Sequence, residues 1–211
     1  TYRTKIIYQK TLKVLFLSTI MTSIGKARKE LQNGKIIIYP TDTVWGMGCD
    51  PFNQKAIDQL FNIKGKKVEG LSVMFDNIEK IYDACETNKA SKKIITEFLP
   101  GPVTLIMKSK KKFAKGVMRN GNIAVRIPMN ETSLKLAKEM PVVTTSANLH
   151  GGNIAENIDD AKKIFGTSCF YLDGEKPKGI ESTIIDLTGN KPEITRIGAL
   201  YSTILEGMFE S

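Results

Sequence analysis

Histidine is almost missing from this chain: His150 is the single one among 211 residues. Cysteine is scarce as well. Cys49, Cys85 and Cys169 are scattered, and no Cys-x-x-Cys pair occurs. Together these shortages argue against a zinc site built from Cys and His, and no structural metal is expected. An odd, dispersed set of thiols fits a reducing, cytoplasmic setting better than a disulfide framework. The apolar run Val14-Leu15-Phe16-Leu17 is far shorter than the ~20 residues of a membrane-spanning helix, so no membrane role is expected. No Walker A spacing is present, which excludes an ordinary P-loop. Neither an internal repeat nor a Pro-rich linker divides the sequence, so one domain is expected.

What is present is ordinary for a globular protein: 41% apolar and 25% charged residues. The net charge of +9 includes +4 from Arg3, Lys5, Lys10 and Lys13, which face no acid within residues 1–20. The remaining excess suits an anionic partner such as a nucleotide or RNA, or a solvated lysine-rich surface. Residues 1–20 read as a non-core segment, with native synthesis starting at Met21 and residues 21–211 forming the folded domain.

Helix-like and strand-like pieces alternate along that domain. Ile24, Ala27 and Leu31 fall at helical spacing, and Asn33-Gly34 stops the helix. Ile36–Tyr39 reads as a buried strand halted by Pro40. Ala56, Ile57, Leu60 and Phe61 make one helical face, with Asn53 as N-cap. Further strands are expected at Leu71–Phe75, Val103–Met107, Ile123–Ile127, Val142–Thr145, Ile184–Leu187 and Glu193–Ile197. Helices are expected over Ile78–Phe98, over Glu131–Glu139, and from Asp159-Asp160 to Gly166. The mixture implies an α/β fold whose sheet has both parallel and antiparallel pairs, flanked by helices. Such sheets bind ligands at strand ends.

Five segments place small polar or cationic residues at the ends of apolar strands. Tyr39-Pro40-Thr41-Asp42-Thr43-Val44-Trp45-Gly46-Met47-Gly48 is either a hydroxyl-stabilised turn or a ligand contact. Ile63-Lys64-Gly65-Lys66-Lys67 either complements a helix C-terminus or clamps phosphate. In Ile123-Ala124-Val125-Arg126-Ile127 an arginine lies between apolar neighbours, so it needs an internal carboxylate or a bound anion. In Thr144-Thr145-Ser146-Ala147-Asn148 an extended backbone points Ser146 and Asn148 to one side. Gly179-Ile180-Glu181-Ser182-Thr183, followed by Ile194-Thr195-Arg196-Ile197-Gly198, again joins hydroxyls to an arginine in an apolar strand.

In this order, and with Leu99-Pro100-Gly101-Pro102-Val103-Thr104, the segments resemble the YrdC/TsaC-like family of threonylcarbamoyl-AMP synthases, in its short single-domain form. The resemblance covers roughly Thr22 to Arg196. It implies a twisted mixed sheet with a concave, basic active-site face. It implies formation of threonylcarbamoyl-AMP and pyrophosphate from L-threonine, bicarbonate or CO₂, and ATP with Mg²⁺. That adenylate is the first step of making threonylcarbamoyladenosine in tRNA, with handoff to a downstream tRNA threonylcarbamoyl transferase. By position, Thr41, Arg126, Ser146 and Ser182 resemble threonine contacts, with Arg126 on the carboxylate. Lys64, Lys66, Asn148 and Arg196 resemble ATP contacts, and Lys64 and Arg126 carry most of the catalytic weight. No protein general base stands out, and His150 reads as incidental.

Three departures from the family pattern occur, the first two at the phosphate end. The family's Lys-x-Arg is here Lys64-Gly65-Lys66, which keeps the charge and loses the guanidinium fork. The loop that follows, Val68-Glu69-Gly70-Leu71, is one residue short, and Met74 replaces a histidine of longer relatives. Two alternatives stay open: a same-fold paralogue acting on another carbamoyl or carboxyl substrate, and a non-catalytic RNA-binding module using Lys110-Lys111-Lys112 and Lys115.

Overall fold

Residues 36–39 are apolar at every position, so the strand they form must be covered on both faces. In the computed structural model, which describes residues 23–67 and 69–200, it is. Residues 1–20 lie outside that range. Strand β1 (Ile37–Tyr39) turns Ile37 and Tyr39 to one cluster, while Ile36 and Ile38 belong to the other. Helix α1, over residues 23–32, sets Ile24, Ala27 and Leu31 against the first cluster. Helix α5 (Glu131–Ala137) adds Leu136 and Ala137 to it. The larger, opposite cluster takes the apolar faces of α2 (Gln54–Lys64), α3 (Ile78–Ala84), α4 (Lys89–Phe98) and α6 (Ile158–Phe165). Truncating a fully buried side chain such as Leu31 or Leu60 to alanine should cost about 2–5 kcal/mol.

The other strands are β2 (Gly46–Gly48), β3 (Ser72–Met74), β4 (Val103–Lys108), β5 (Asn122–Arg126), β6 (Val142–Ser146), β7 (Phe170–Tyr171), β8 (Thr183–Asp186) and β9 (Glu193–Arg196). They form one sheet in the order β7-β1-β2-β6-β3-β5-β4-β8-β9. The pairs β1–β7, β3–β5 and β4–β8 are parallel. The other pairs are antiparallel. The expected single α/β domain with a mixed sheet is therefore what the chain builds.

Asparagine starts five of the helices. Asn53, Asn77, Asn88, Asn130 and Asn157 are N-caps whose side chains accept a backbone N–H of the first turn. Each such cap contributes about 1 kcal/mol.

Three local expectations need correcting. The apolar spacing from Ile78 to Phe98 hides a break: α3 ends at an extended Cys85, which bridges to Ser109. The chain restarts at Asn88, whose side chain and Ser91 form a reciprocal capping box. The glycine-rich stretch after Pro40 is no mere turn, because it returns as β2 between β1 and β6. Gly48 is needed there by close approach, since a Cβ would lie 1.8 Å from the Val143 carbonyl oxygen. The two-residue edge strand β7 was also not anticipated; its pairing with β1 gives it a place that its own sequence does not signal.

Candidate functional site

The strand ends converge on a cavity of about 290 Å³. Thr41 and Thr43 reach it from the turn after β1, Arg126 from the last position of β5, and Ser146 from the last position of β6. Ser182 enters immediately before β8, and Arg196 from the end of β9. Five of the eight expected site residues thus line one concavity. Of the other three, Lys64 and Asn148 adjoin it through Ser146, whereas Lys66 contacts His150.

Arg126 answers the question its sequence posed. Only 6% of the residue is exposed, and Nη2 donates to Asp42 Oδ1 at 2.6 Å. Nη1 donates to Thr43 Oγ1 at 3.1 Å. Burial pulls its pKa down, and the Asp42 carboxylate opposes that pull. The pair retains unused capacity: Arg126 Nε and Asp42 Oδ2 are buried without a hydrogen-bond partner. Asp42 does not line the cavity but holds Arg126 from behind it. Its partner is 84 positions away, a link that no local pattern carries.

Thr41 makes the turn its segment allowed. Its Oγ1 donates to the Val44 carbonyl at 2.7 Å and accepts the Thr43 and Val44 N–H groups, which makes a turn. The same residue forms part of the cavity wall. On the opposite wall the hydroxyls of Ser182 and Thr104 are 2.8 Å apart. Arg196 donates to Ser182 through Nε and Nη2, and its Nη1 donates to Glu181 Oε1 at 3.1 Å.

Lys64 is spent on the protein itself. Its Nζ donates to the Ser146 carbonyl (2.8 Å), the Asn148 carbonyl (3.0 Å) and Asn148 Oδ1 (3.1 Å). Ser146 Oγ donates to the same Asn148 oxygen at 2.8 Å. Burial brings the Lys64 pKa down to about 8, with Glu181 acting weakly in the other direction. The ammonium therefore ties the end of α2 to the loop after β6. Gly65, at a φ of 76°, ends the helix there in the left-handed conformation. Lys66 is exposed, and its Nζ lies 3.2 Å from His150 Nε2.

Two guanidinium groups, one lining carboxylate and a ring of hydroxyls form a site for a small, polar, anion-bearing ligand held at the ends of a mixed α/β sheet. One solved structure of this shape holds such a ligand. The structure of Pyrococcus abyssi Sua5 complexed with L-threonine superposes with a TM-score of 0.80 at 29% identity, covering 87% of this chain and 56% of that one. Escherichia coli YciO shares the fold, with a TM-score of 0.76 at 22% identity over 83% of this chain and 89% of that one.

The Sua5/YciO/YrdC family model, described as telomere recombination, matches residues 29–198, and the chain belongs to that family. A Pseudoalteromonas translucida relative named threonylcarbamoyl-AMP synthase is 35% identical over 81% of this chain and 96% of its own length. A relative of the same name from Pyrococcus abyssi is 31% identical over 81% of this chain, which spans 52% of that longer protein.

Proposed function

We propose that this chain is an L-threonylcarbamoyladenylate synthase. It converts L-threonine, bicarbonate or CO₂, and ATP into threonylcarbamoyl-AMP and pyrophosphate. One observation carries the reading. The strand-end cavity, in a chain of this family, gathers Arg126, Arg196, Thr41, Ser146 and Ser182 around a space of amino-acid size.

Arg126 takes the threonine carboxylate through the guanidinium face that Asp42 and Thr43 leave free, and Thr41, Ser146 and Ser182 surround the rest of the amino acid. The threonine amine and bicarbonate give N-carboxythreonine and water. The new carboxylate attacks the α-phosphorus of ATP, and pyrophosphate leaves. Arg196, Asn148, Lys64 and Lys66 stand on the nucleotide side. This chemistry gathers negative charge, so fixed cations and donors supply most of the acceleration. Mg²⁺ accompanies ATP as its phosphate-bound counterion. The described residues bring no three His, Cys, Asp or Glu side chains together, so phosphate oxygens and water would supply its ligands.

The adenylate feeds threonylcarbamoyladenosine formation in tRNA, through a downstream transferase that accepts it. The exposed Lys111 and Lys112 are candidates for contact with tRNA on a basic face. Three unpaired thiols favour a reducing, cytoplasmic setting, and no helix among the described residues is long and apolar enough to cross a membrane. Residues 21–211 are the catalytic domain in this proposal. The hydroxyls favour an enzyme over an RNA-binding module because they are enclosed in a cavity, which a phosphate-backbone binder does not require.

The test is pyrophosphate release in the presence of bicarbonate and ATP. Release that depends on threonine, and not on serine or carbamoyl phosphate, is the expected result. Release indifferent to threonine would favour the same-fold paralogue reading.

A further inference from the structure

The roles above leave one charged lining residue unused. Among the described residues of the cavity wall, Glu181 is the sole carboxylate, and it shares the wall with Arg126 and Arg196. Asp42 lies behind the wall, with a side chain only 6% exposed and already paired to Arg126. Glu181 differs in being accessible: its side chain is 45% exposed. Oε1 accepts Arg196 Nη1 at 3.1 Å, which leaves Oε2 for a ligand.

The backbone beneath it is fixed. The Glu181 carbonyl accepts the Ala199 N–H at 2.8 Å, and Gly198 packs so closely that a Cβ there would lie 2.3 Å from that oxygen. The adjoining Ser182 is tied to both Thr104 and Arg196. The charged groups around Glu181 are Arg196 on β9, which it contacts, and Lys64 on α2, with Arg126 on β5 elsewhere on the same cavity wall.

An α-amino acid at neutral pH is a zwitterion. A cavity that presented guanidinium groups alone would hold its carboxylate and repel its ammonium. We infer that Glu181 receives the α-ammonium of the substrate amino acid, so that Arg126 and Glu181 together read the zwitterion. The inference rests on the proposed reading that this cavity takes threonine. Glu181 then determines specificity, separating α-amino acids from hydroxy acids of the same shape. Arg196 keeps it aimed.

The competing role is purely structural, with Glu181 only holding Arg196. Calorimetric titration separates the two. The ligands are L-threonine and the 2,3-dihydroxybutyrate of matching configuration, in which a hydroxyl replaces the ammonium. A charge-assisted hydrogen bond to the ammonium predicts that wild-type protein prefers threonine by roughly tenfold or more. In Glu181→Gln, which can still accept from Arg196, most of that preference should vanish. A structural role would weaken both ligands alike and leave the ratio unchanged, which overturns the inference. Wild-type protein that binds the two equally overturns it without any variant. If the underlying reading fails, the sign is different: wild-type protein binds neither ligand, and this inference falls with it.

Discussion

Arg126 and Lys66 are both expected to meet a substrate anion, yet the chain treats them in opposite ways. Arg126 is buried and held by Asp42 and Thr43 before any substrate arrives. Lys66 is exposed, with a histidine nitrogen as its polar neighbour. Burying a guanidinium is costly, and the Asp42 carboxylate offsets the cost, so the orientation of Arg126 is set by folding itself. An exposed lysine has no such constraint, and its geometry is completed by the ligand. In the proposed reading the carboxylate end of the site is therefore preorganised, and the phosphate end is assembled on binding. The departures at Lys66 and in the loop after it fall at the second end, where packing imposes least, whereas Met74 is buried in the core and pairs with Arg126 on the neighbouring strand.

The largest effect should come from Arg126→Ala. Threonine-dependent pyrophosphate release should fall roughly a hundredfold or more, as for loss of a preorganised donor. Family resemblance alone suggests that the fold survives this change intact. The structure predicts otherwise, because Asp42 is left buried and unpaired, a loss of about 3–5 kcal/mol in urea denaturation. Adding Asp42→Asn should recover much of the stability and none of the activity. If the double variant is active, the guanidinium is not the threonine anchor.

Lys64→Met should act next, by releasing the loop that carries Ser146 and Asn148. A loss of roughly tenfold to a hundredfold in activity matches the removal of a charge and three hydrogen bonds. Its pH signature is separate. In the folded state Lys64 titrates near 8, against an ordinary 10.5, so between those values the unfolded chain binds more protons. Wild-type stability should thus rise with pH through that window, relative to Lys64→Met. Thermal melts of both proteins at intervals from pH 7 to pH 10 test it, and parallel profiles would refute burial of this ammonium. The smallest effect belongs to Lys66→Ala. With an exposed, ligand-ordered side chain, KM for ATP should rise only several-fold while kcat changes little. A loss as large as that of Arg126→Ala would erase the contrast between the two ends.

Much of the sheet was legible because strands buried on both faces write continuous apolar runs, as Ile36–Tyr39 does. Asn53 was legible as a cap because capping is a local bond. The break at Cys85 was not, since apolar spacing continues across it and the extended backbone is satisfied by a distant strand, with Glu86 N–H on the Lys108 carbonyl at 2.8 Å. Strand β2 was hidden by its two glycines, Gly48 lying close to β6 and Gly46 against the Tyr39 ring, approaches that only the tertiary structure creates. In the site, the need of Arg126 for a counterion was legible, and its identity was not. Thr41, Ser146, Ser182 and Arg196 could be picked out by residue type at strand ends. Glu181 could have been noticed as the acid beside Ser182. What gives it meaning is the surrounding cations, which come from three other elements.

A crystal structure with L-threonine tests the central claim most directly. The account predicts threonine in the strand-end cavity, its carboxylate within hydrogen-bond distance of the Arg126 guanidinium and its remaining polar atoms among Thr41, Ser146 and Ser182. Threonine bound elsewhere, or seated there with its carboxylate turned away from Arg126, would contradict it.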